Sequence, residues 1–216
     1  MLTGSREENA IARTAGVPAM RSTGLFAPKI LIIPGSLRTG SQNARLAAVI
    51  AKEFIRADVE VTRISLGDFP LPIYDADLQA SAGVPASAVN LKQMIAAHHG
   101  VVIVTPEYNA SLPPLLKNAI DWISRVQSPH EARGQVFHER AFAIASASTG
   151  RFGGARCLAQ LRLILSVCGA MVIPNQLALS FAGDAYDDME RLKRSADADA
   201  LKKMVRQLIT LAGNMQ

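Results

Sequence analysis

The sequence predicts an α/β fold: one parallel β-sheet with helices packed on both faces. Three observations predict it. From Lys29 onward, short apolar runs alternate with longer stretches of helical period. The run at residues 101–105, VVIVT, is β-branched and apolar up to its final Thr105, as a central strand buried on both faces requires. Polar loops, two of them glycine-bearing, follow the first, third and fourth apolar runs, where strands of such a sheet would end.

The elements follow in order. Residues 29–33, KILII, form the first strand. In the next stretch Leu46, Val49, Ile50 and Phe54 recur at helical spacing. Residues 58–66, DVEVTRISL, alternate as a second strand, with Val59, Val61 and Ile64 inward. Residues 67–87 are rich in Pro, Asp and Gly and read as loop. Residues 87–100 read as a helix ending near Gly100, and VVIVT is the third strand. Residues 112–126 form a helix with its prolines in the first turn, where they are tolerated. Residues 128–140 read as a polar loop, and residues 141–146, AFAIAS, as the fourth strand. The helix at residues 155–169 carries a stripe through Cys157, Leu161, Ile164, Leu165 and Cys168. Residues 170–175, AMVIPN, form a fifth strand. After a loop with four acids, residues 189–213 close the chain as a helix.

A chain of 216 residues that is 49% apolar suits one domain, expected at residues 29–216. Residues 1–28 lack the long apolar core of a secretory signal and are expected to be a flexible leader, with Met20 an alternative start. The net charge is +5, but the 23 Lys and Arg are scattered. Without single-sign runs or interleaved aromatics, that charge describes solvated helix faces rather than a nucleic-acid site. Two cysteines without C-x-x-C spacing indicate neither a zinc site nor a disulfide framework, and a reducing cytoplasm is expected. No apolar run approaches the roughly 18 residues of a membrane span.

The chemistry is expected in the loops after strands one, three and four. In the first, PGSLRTGSQN, Gly35 allows a sharp turn and Ser41 is suited to cap the next helix. Backbone N–H groups of residues 38–43 converge at that helix N-terminus, where the dipole favours an anion. Ser36, Thr39, Ser41 and Asn43 add side-chain donors and Arg38 a positive charge. A set made only of donors suits a phosphate; the alternative is a capped turn with incidental polar residues. Residues 35–40 have G-x-x-x-x-G spacing, but Ser41 and Gln42 stand where a nucleotide-triphosphate loop needs Lys and Ser/Thr, and G-x-G-x-x-G is absent. A metal-free monophosphate remains. In the second loop Pro106 ends the strand, Tyr108 offers a flat face for a ring, and the N–H groups of residues 107–109 offer donors for its edge. The third loop, STGRFGG, is a wall with little side-chain bulk that lets a planar group approach the backbone.

These motifs resemble the flavodoxin-like, NAD(P)H-dependent FMN reductases, a family that includes quinone, chromate and azo-dye reductases. G-S-L-R-x-x-S-x-N stands here as Gly35, Ser36, Leu37, Arg38, Ser41 and Asn43, and P-E-Y-N as Pro106, Glu107, Tyr108 and Asn109. SLPPLLKNAIDW, LPIYDADL and GGARC extend the likeness, which covers about residues 29–175. The resemblance implies a three-layer sandwich with a five-stranded parallel sheet in the order 2-1-3-4-5. It implies that Ser36, Arg38, Ser41, Gln42 and Asn43 hold the FMN phosphate. Pro106, Glu107, Tyr108 and Asn109 would line the ring, and Ala147, Ser148, Thr149 and Gly150 would close the third side. It also implies NADPH or NADH as co-substrate, a small-molecule electron acceptor, and a homodimer or homotetramer, with the Trp122 helix offering a face to another subunit.

No side chain stands out as catalytic. His98 and His99 end a helix, where positive charge is favoured. His130 and His138 lie in the polar loop. Cys157 and Cys168 belong to an apolar stripe, Asp75 and Asp77 to a proline loop, and Glu107 reads as a solvent-facing loop acid. A flavin that carries the chemistry itself accounts for this scarcity. Three rivals are a flavodoxin-type electron carrier, an interaction protein that keeps the cradle without turnover, and a basic nucleic-acid binder.

Overall fold

The computed structural model describes residues 27–132 and 134–215. All but Ala27 and Pro28 of the expected leader therefore lie outside the described residues. Six strands form one parallel sheet: β1 Ile30–Pro34, β2 Val61–Arg63, β3 Gly100–Val104, β4 Ala141–Ala147, β5 Met171–Val172 and β6 Leu177–Leu179. The order is β2-β1-β3-β4-β5, as the family resemblance implies, and β6 also pairs with β4. The helices are α1 Gln42–Arg56, α2 Ala76–Ala82, α3 Ala86–Ala96, α4 Pro114–Ile123, α5 Gln135–His138, α6 Ala155–Val167 and α7 Ser195–Asn214.

Strand geometry explains the three layers. Successive side chains point to opposite faces. Ile30, Ile32, Val102 and Val104 pack on one side with Leu46, Ile50 and Phe54 of α1 and Leu201, Met204 and Leu208 of α7. Leu31, Ile33, Val101 and Ile103 pack on the other with Leu91 of α3, Leu116 and Ile120 of α4, and Leu161 and Leu165 of α6. Both faces of β1 and β3 are dry, so neither strand alternates in polarity.

The second strand shrinks from the expected 58–66 to Val61–Arg63, and the helix expected to end near Gly100 ends at Ala96; four further departures from the sequence reading have a physical reason. The fifth strand, expected at 170–175, is only Met171–Val172, and an unexpected sixth strand, β6, follows it. β5 pairs with the first two residues of β4 and β6 with the last three. Pro174 lies between them and has no N–H for the ladder. The loop at 67–87 contains α2, capped by Asp75, whose Oδ1 accepts from Leu78 N at 2.8 Å. α2 buries no residue, so periodicity could not betray it. α5 is a four-residue helix inside the other polar loop. α7 begins at Ser195 rather than 189, because Asp187 Oδ1 accepts from the N–H groups of Met189 and Arg191 and holds a turn.

Two side chains also take other tasks. His99 is a neutral pin rather than a charged helix end: its Nδ1 accepts from Lys29 N at 2.9 Å at the start of the sheet. Burial, then the nearby Arg140, His98 and Lys29, hold its pKa below the usual imidazole value. Trp122 is fully buried in its own chain, where its indole N–H donates to Pro72 O at 2.7 Å. It offers nothing to another subunit.

The glycine loop before α6 has a tighter reason for its composition than room for a ligand. Gly153 has φ +59°, and a Cβ there would lie 2.6 Å from the carbonyl carbon and oxygen of Ala178. Gly40 shares the left-handed backbone, at φ +69°, with nothing within 4 Å of a built Cβ. The pair separates backbone strain from crowding. Gly40→Ala is expected to cost about 1 kcal/mol and Gly153→Ala roughly 3 kcal/mol, since crowding against rigid backbone adds to the same strain. Urea denaturation of the two variants measures the difference; equal losses would refute it.

Candidate active site

The chain runs from β1 outward to β2 and returns to β3 on the other side of β1. Loops beyond the carboxyl ends of β1 and β3 therefore diverge and leave a crevice. A cleft of about 150 Å³ lies there. Of the thirteen expected site residues, all but Asn109 and Gly150 line it. The first loop brings Ser36, Arg38, Ser41, Gln42 and Asn43; the second brings Pro106, Glu107 and Tyr108; the third brings Ala147, Ser148 and Thr149. Larger hollows lie elsewhere among the described residues, about 510 Å³ between α1 and α7, about 650 Å³ beside β5 and about 240 Å³ where Leu37 and Phe69 face α4. The smaller one is singled out by its donors rather than its size.

Ser41 caps α1 as its residue type dictates: its Oγ accepts from the N–H groups of Asn43 and Ala44. Arg38 N donates to Ser36 Oγ, and Ser41 N donates to Arg38 O. Among the described residues, the N–H groups of Thr39, Gly40 and Gln42 have no acceptor. Three unspent amides at a helix N-terminus, beside the Arg38 guanidinium, make a cradle for an anion. Asn43 does not add the free side-chain donor expected of it. Its amide is buried and clasps β4 across the sheet: Nδ2 donates to Ala147 O at 2.9 Å, and Oδ1 accepts from Ala147 N at 2.8 Å. Asn43 thus fixes the distance between the first and third loops. Only the folded chain places position 43 beside 147, so sequence order held no signal of it.

The second loop is a tight hairpin. Tyr108 and Ser111 exchange both backbone hydrogen bonds, at 3.0 and 2.9 Å. Asn109 and Ala110 between them have φ +51° and +63°, the pattern of a two-residue turn with both central residues left-handed. Asn109 therefore serves the turn, and Tyr108 is presented half-exposed at its base. Of the three amides expected to face a ring edge, that of Tyr108 is spent on Ser111, while those of Glu107 and Asn109, and that of Thr149 in the third loop, have no acceptor among the described residues.

Glu107 is not a solvent-facing acid. Its side chain is 7% exposed and pairs with Arg156. Oε1 accepts from Arg156 Nε at 2.8 Å and from Nη2, and Oε2 accepts from the Cys157 N–H at 3.2 Å. Burial pushes its pKa up, but the bonds from Arg156 and Cys157 and the guanidinium charge outweigh burial, and the carboxyl lies below its usual 4.5. A carboxylate so engaged holds no proton to exchange. Cys157 is buried and its thiol is pushed up to about 11, chiefly by burial, so it is no thiolate.

The family model described as NADPH-dependent FMN reductase matches residues 28–184. The chain belongs to that family. A quinone reductase of Escherichia coli (strain K12) is 44% identical over 146 residues, 67% of this chain and 73% of the relative. The NAD(P)H-dependent FMN reductase PA1204 of Pseudomonas aeruginosa is 36% identical over 189 residues, 83% of this chain and 96% of that one. Among solved structures, FerB, a flavoenzyme NAD(P)H:(acceptor) oxidoreductase from Paracoccus denitrificans, matches with a TM-score of 0.72 at 28% identity, covering 86% of this chain and 97% of that chain. The matched residues of the FMN reductase family model contain all three loops of the cleft and stop before α7.

The depressed Glu107 carboxyl gives a pH signature. A group whose pKa falls on folding contributes stability that is fully present above its unfolded value, near 4.5, and is lost as pH falls through the folded value. At neutral pH, Glu107→Gln is expected to lower the unfolding free energy by about 1–2 kcal/mol. The gap to wild type narrows as pH falls below about 4.5 and closes in acid, once the folded carboxyl is protonated. Urea titrations at neutral and acid pH measure it; a gap that persists in acid would refute the assignment.

Proposed function

We propose that this protein is an FMN-dependent oxidoreductase that takes hydride from NADPH or NADH and reduces a small-molecule acceptor. Its membership of the FMN reductase family supports the cofactor, and the relatives named quinone reductase favour a quinone over an azo compound, free flavin or metal oxyanion. The observation that carries the reading is the donor set of the cleft: three unspent amides, a helix N-terminus and one guanidinium on one side, and ring-edge amides with an open aromatic face on the other. That chemistry fits a phosphate joined to a planar, hydrogen-bonding ring.

In this reading Ser36, Arg38 and Ser41, with the amides of Thr39, Gly40 and Gln42, bind the FMN phosphate. Glu107, Asn109 and Thr149 orient the ring edge through their N–H groups, and Tyr108 covers part of the ring. Bound FMN supplies the two-electron chemistry. The chain supplies position, and no side chain of the cleft is asked to move a proton. One open face serves both co-substrates, so turnover is ping-pong. Among the described residues no helix is long and apolar enough to cross a membrane; a cytoplasmic place of work, where nicotinamide nucleotides are kept reduced, belongs to the proposal. So does self-association as dimer or tetramer. Its support is now the outward pair Leu163 and Val167 on α6, four residues apart and both well exposed.

Purified protein titrated with FMN is expected to bind it, and Arg38→Ala to weaken that binding about tenfold through loss of a charge-assisted contact. Anaerobic mixing with NADPH is expected to bleach the bound flavin, and steady-state double-reciprocal plots to be parallel. A flavin that stays oxidised under both NADPH and NADH would overturn the reductase reading in favour of an electron carrier.

A further inference from the structure

We propose that Arg156 and Gln160, one turn apart on α6, clamp the Tyr108 hairpin, and that the Glu107–Arg156 pair balances charge beside the flavin ring. The proposal rests on the FMN reading above.

α6 begins after Gly154 with no side-chain cap. Its first amides need an acceptor from elsewhere. Glu107 comes from a different loop and supplies one at Cys157 N, while Arg156 binds the other oxygen of the same carboxylate. Four residues on, Gln160 holds the far side of the hairpin: its Nε2 donates to Ala110 O at 2.8 Å, and its Oε1 accepts from Ser111 Oγ at 2.6 Å. Positions i and i+4 share one helix face, so a single face of α6 grips the hairpin on both sides of Tyr108. The grip has a strain to hold. Ala110 has no polar side chain to ease its φ of +63°, and such backbone persists only where its surroundings over-determine it.

The pair also has an electrostatic consequence. Glu107 lines the cleft and is 7% exposed, whereas Arg156 is 56% exposed and lies 5.0 Å over the Phe152 ring. Together they place no net charge there. Removing either partner leaves the other's charge beside a ring that gains negative charge on reduction. A stranded guanidinium favours the reduced state and a stranded carboxylate disfavours it. A brace with no electrostatic role would give no such opposition of sign.

The experiment measures FMN dissociation constants by fluorescence and the flavin midpoint potential by anaerobic spectral titration. Glu107→Gln is expected to raise the potential, Arg156→Gln to lower it, and the double variant to return close to wild type. Arg156→Lys keeps the charge without the fork geometry and covers the case in which a neutral variant fails to fold. It is expected to weaken FMN binding about tenfold with the potential unmoved. Single variants that shift the potential in the same direction, or match wild type in both measurements, would overturn the proposal while leaving the FMN reading intact. A wild-type protein that takes up no FMN would overturn both.

Discussion

Everything in this molecule depends on covering both faces of a parallel sheet. Side chains of β1 and β3 alternate between two apolar layers, so α1 and α7 must cover one face and α3, α4 and α6 the other. Right-handed crossovers then return every connection to the same edge. Three loops are thereby forced together at the carboxyl ends of β1, β3 and β4. No loop residue has to attract another for the cleft to exist. The core creates the crevice, and the loops decide what it holds.

Within the crevice the deciding quantity is which backbone donors the fold leaves unspent. A helix start always has surplus amides, and Ser41 takes up those of Asn43 and Ala44 while leaving that of Gln42. At α6 the surplus is met differently, by a carboxylate from a neighbouring loop. The two helix starts beside the cleft thus have opposite characters. One is open to an outside anion, and the other is already answered by the protein's own Glu107. This difference gives the cleft a direction, and in the proposed reading the anion lies at α1 and the ring toward α6.

What the sequence disclosed follows the range of the interactions. The Ser41 cap, the buried strand at VVIVT and the three loops rest on neighbours close along the chain, and all could be read. The failures rest on contacts across it. Asn43 offers the same side chain to a phosphate or to a strand end 104 residues away, and only the fold brings Ala147 within reach. Glu107 looks solvated until Arg156 is placed beside it. Trp122 lies in an apolar helix whose partner, the Pro72 carbonyl, belongs to a loop with no periodicity. α2 was missed for the opposite reason: it buries nothing, and a helix without an apolar face writes no pattern.

The scarcity of acid–base side chains acquires a physical meaning from these assignments. The acid of the cleft, Glu107, is held by Arg156 at one oxygen and by the Cys157 N–H at the other, and the neighbouring thiol is buried with its pKa raised to about 11. Both are removed from proton traffic by burial and by specific partners, not by distance. Neither group titrates near neutral pH, and in the proposed reading the protein contributes geometry and field. Geometry is held by Asn43 between the first and third loops and by α6 on the second. The field comes from the paired charge of Glu107 and Arg156 and from the unspent amides at the start of α1. The same few residues thus set the shape of the cleft and its electrostatics, so a substitution that disturbs one must be tested for the other.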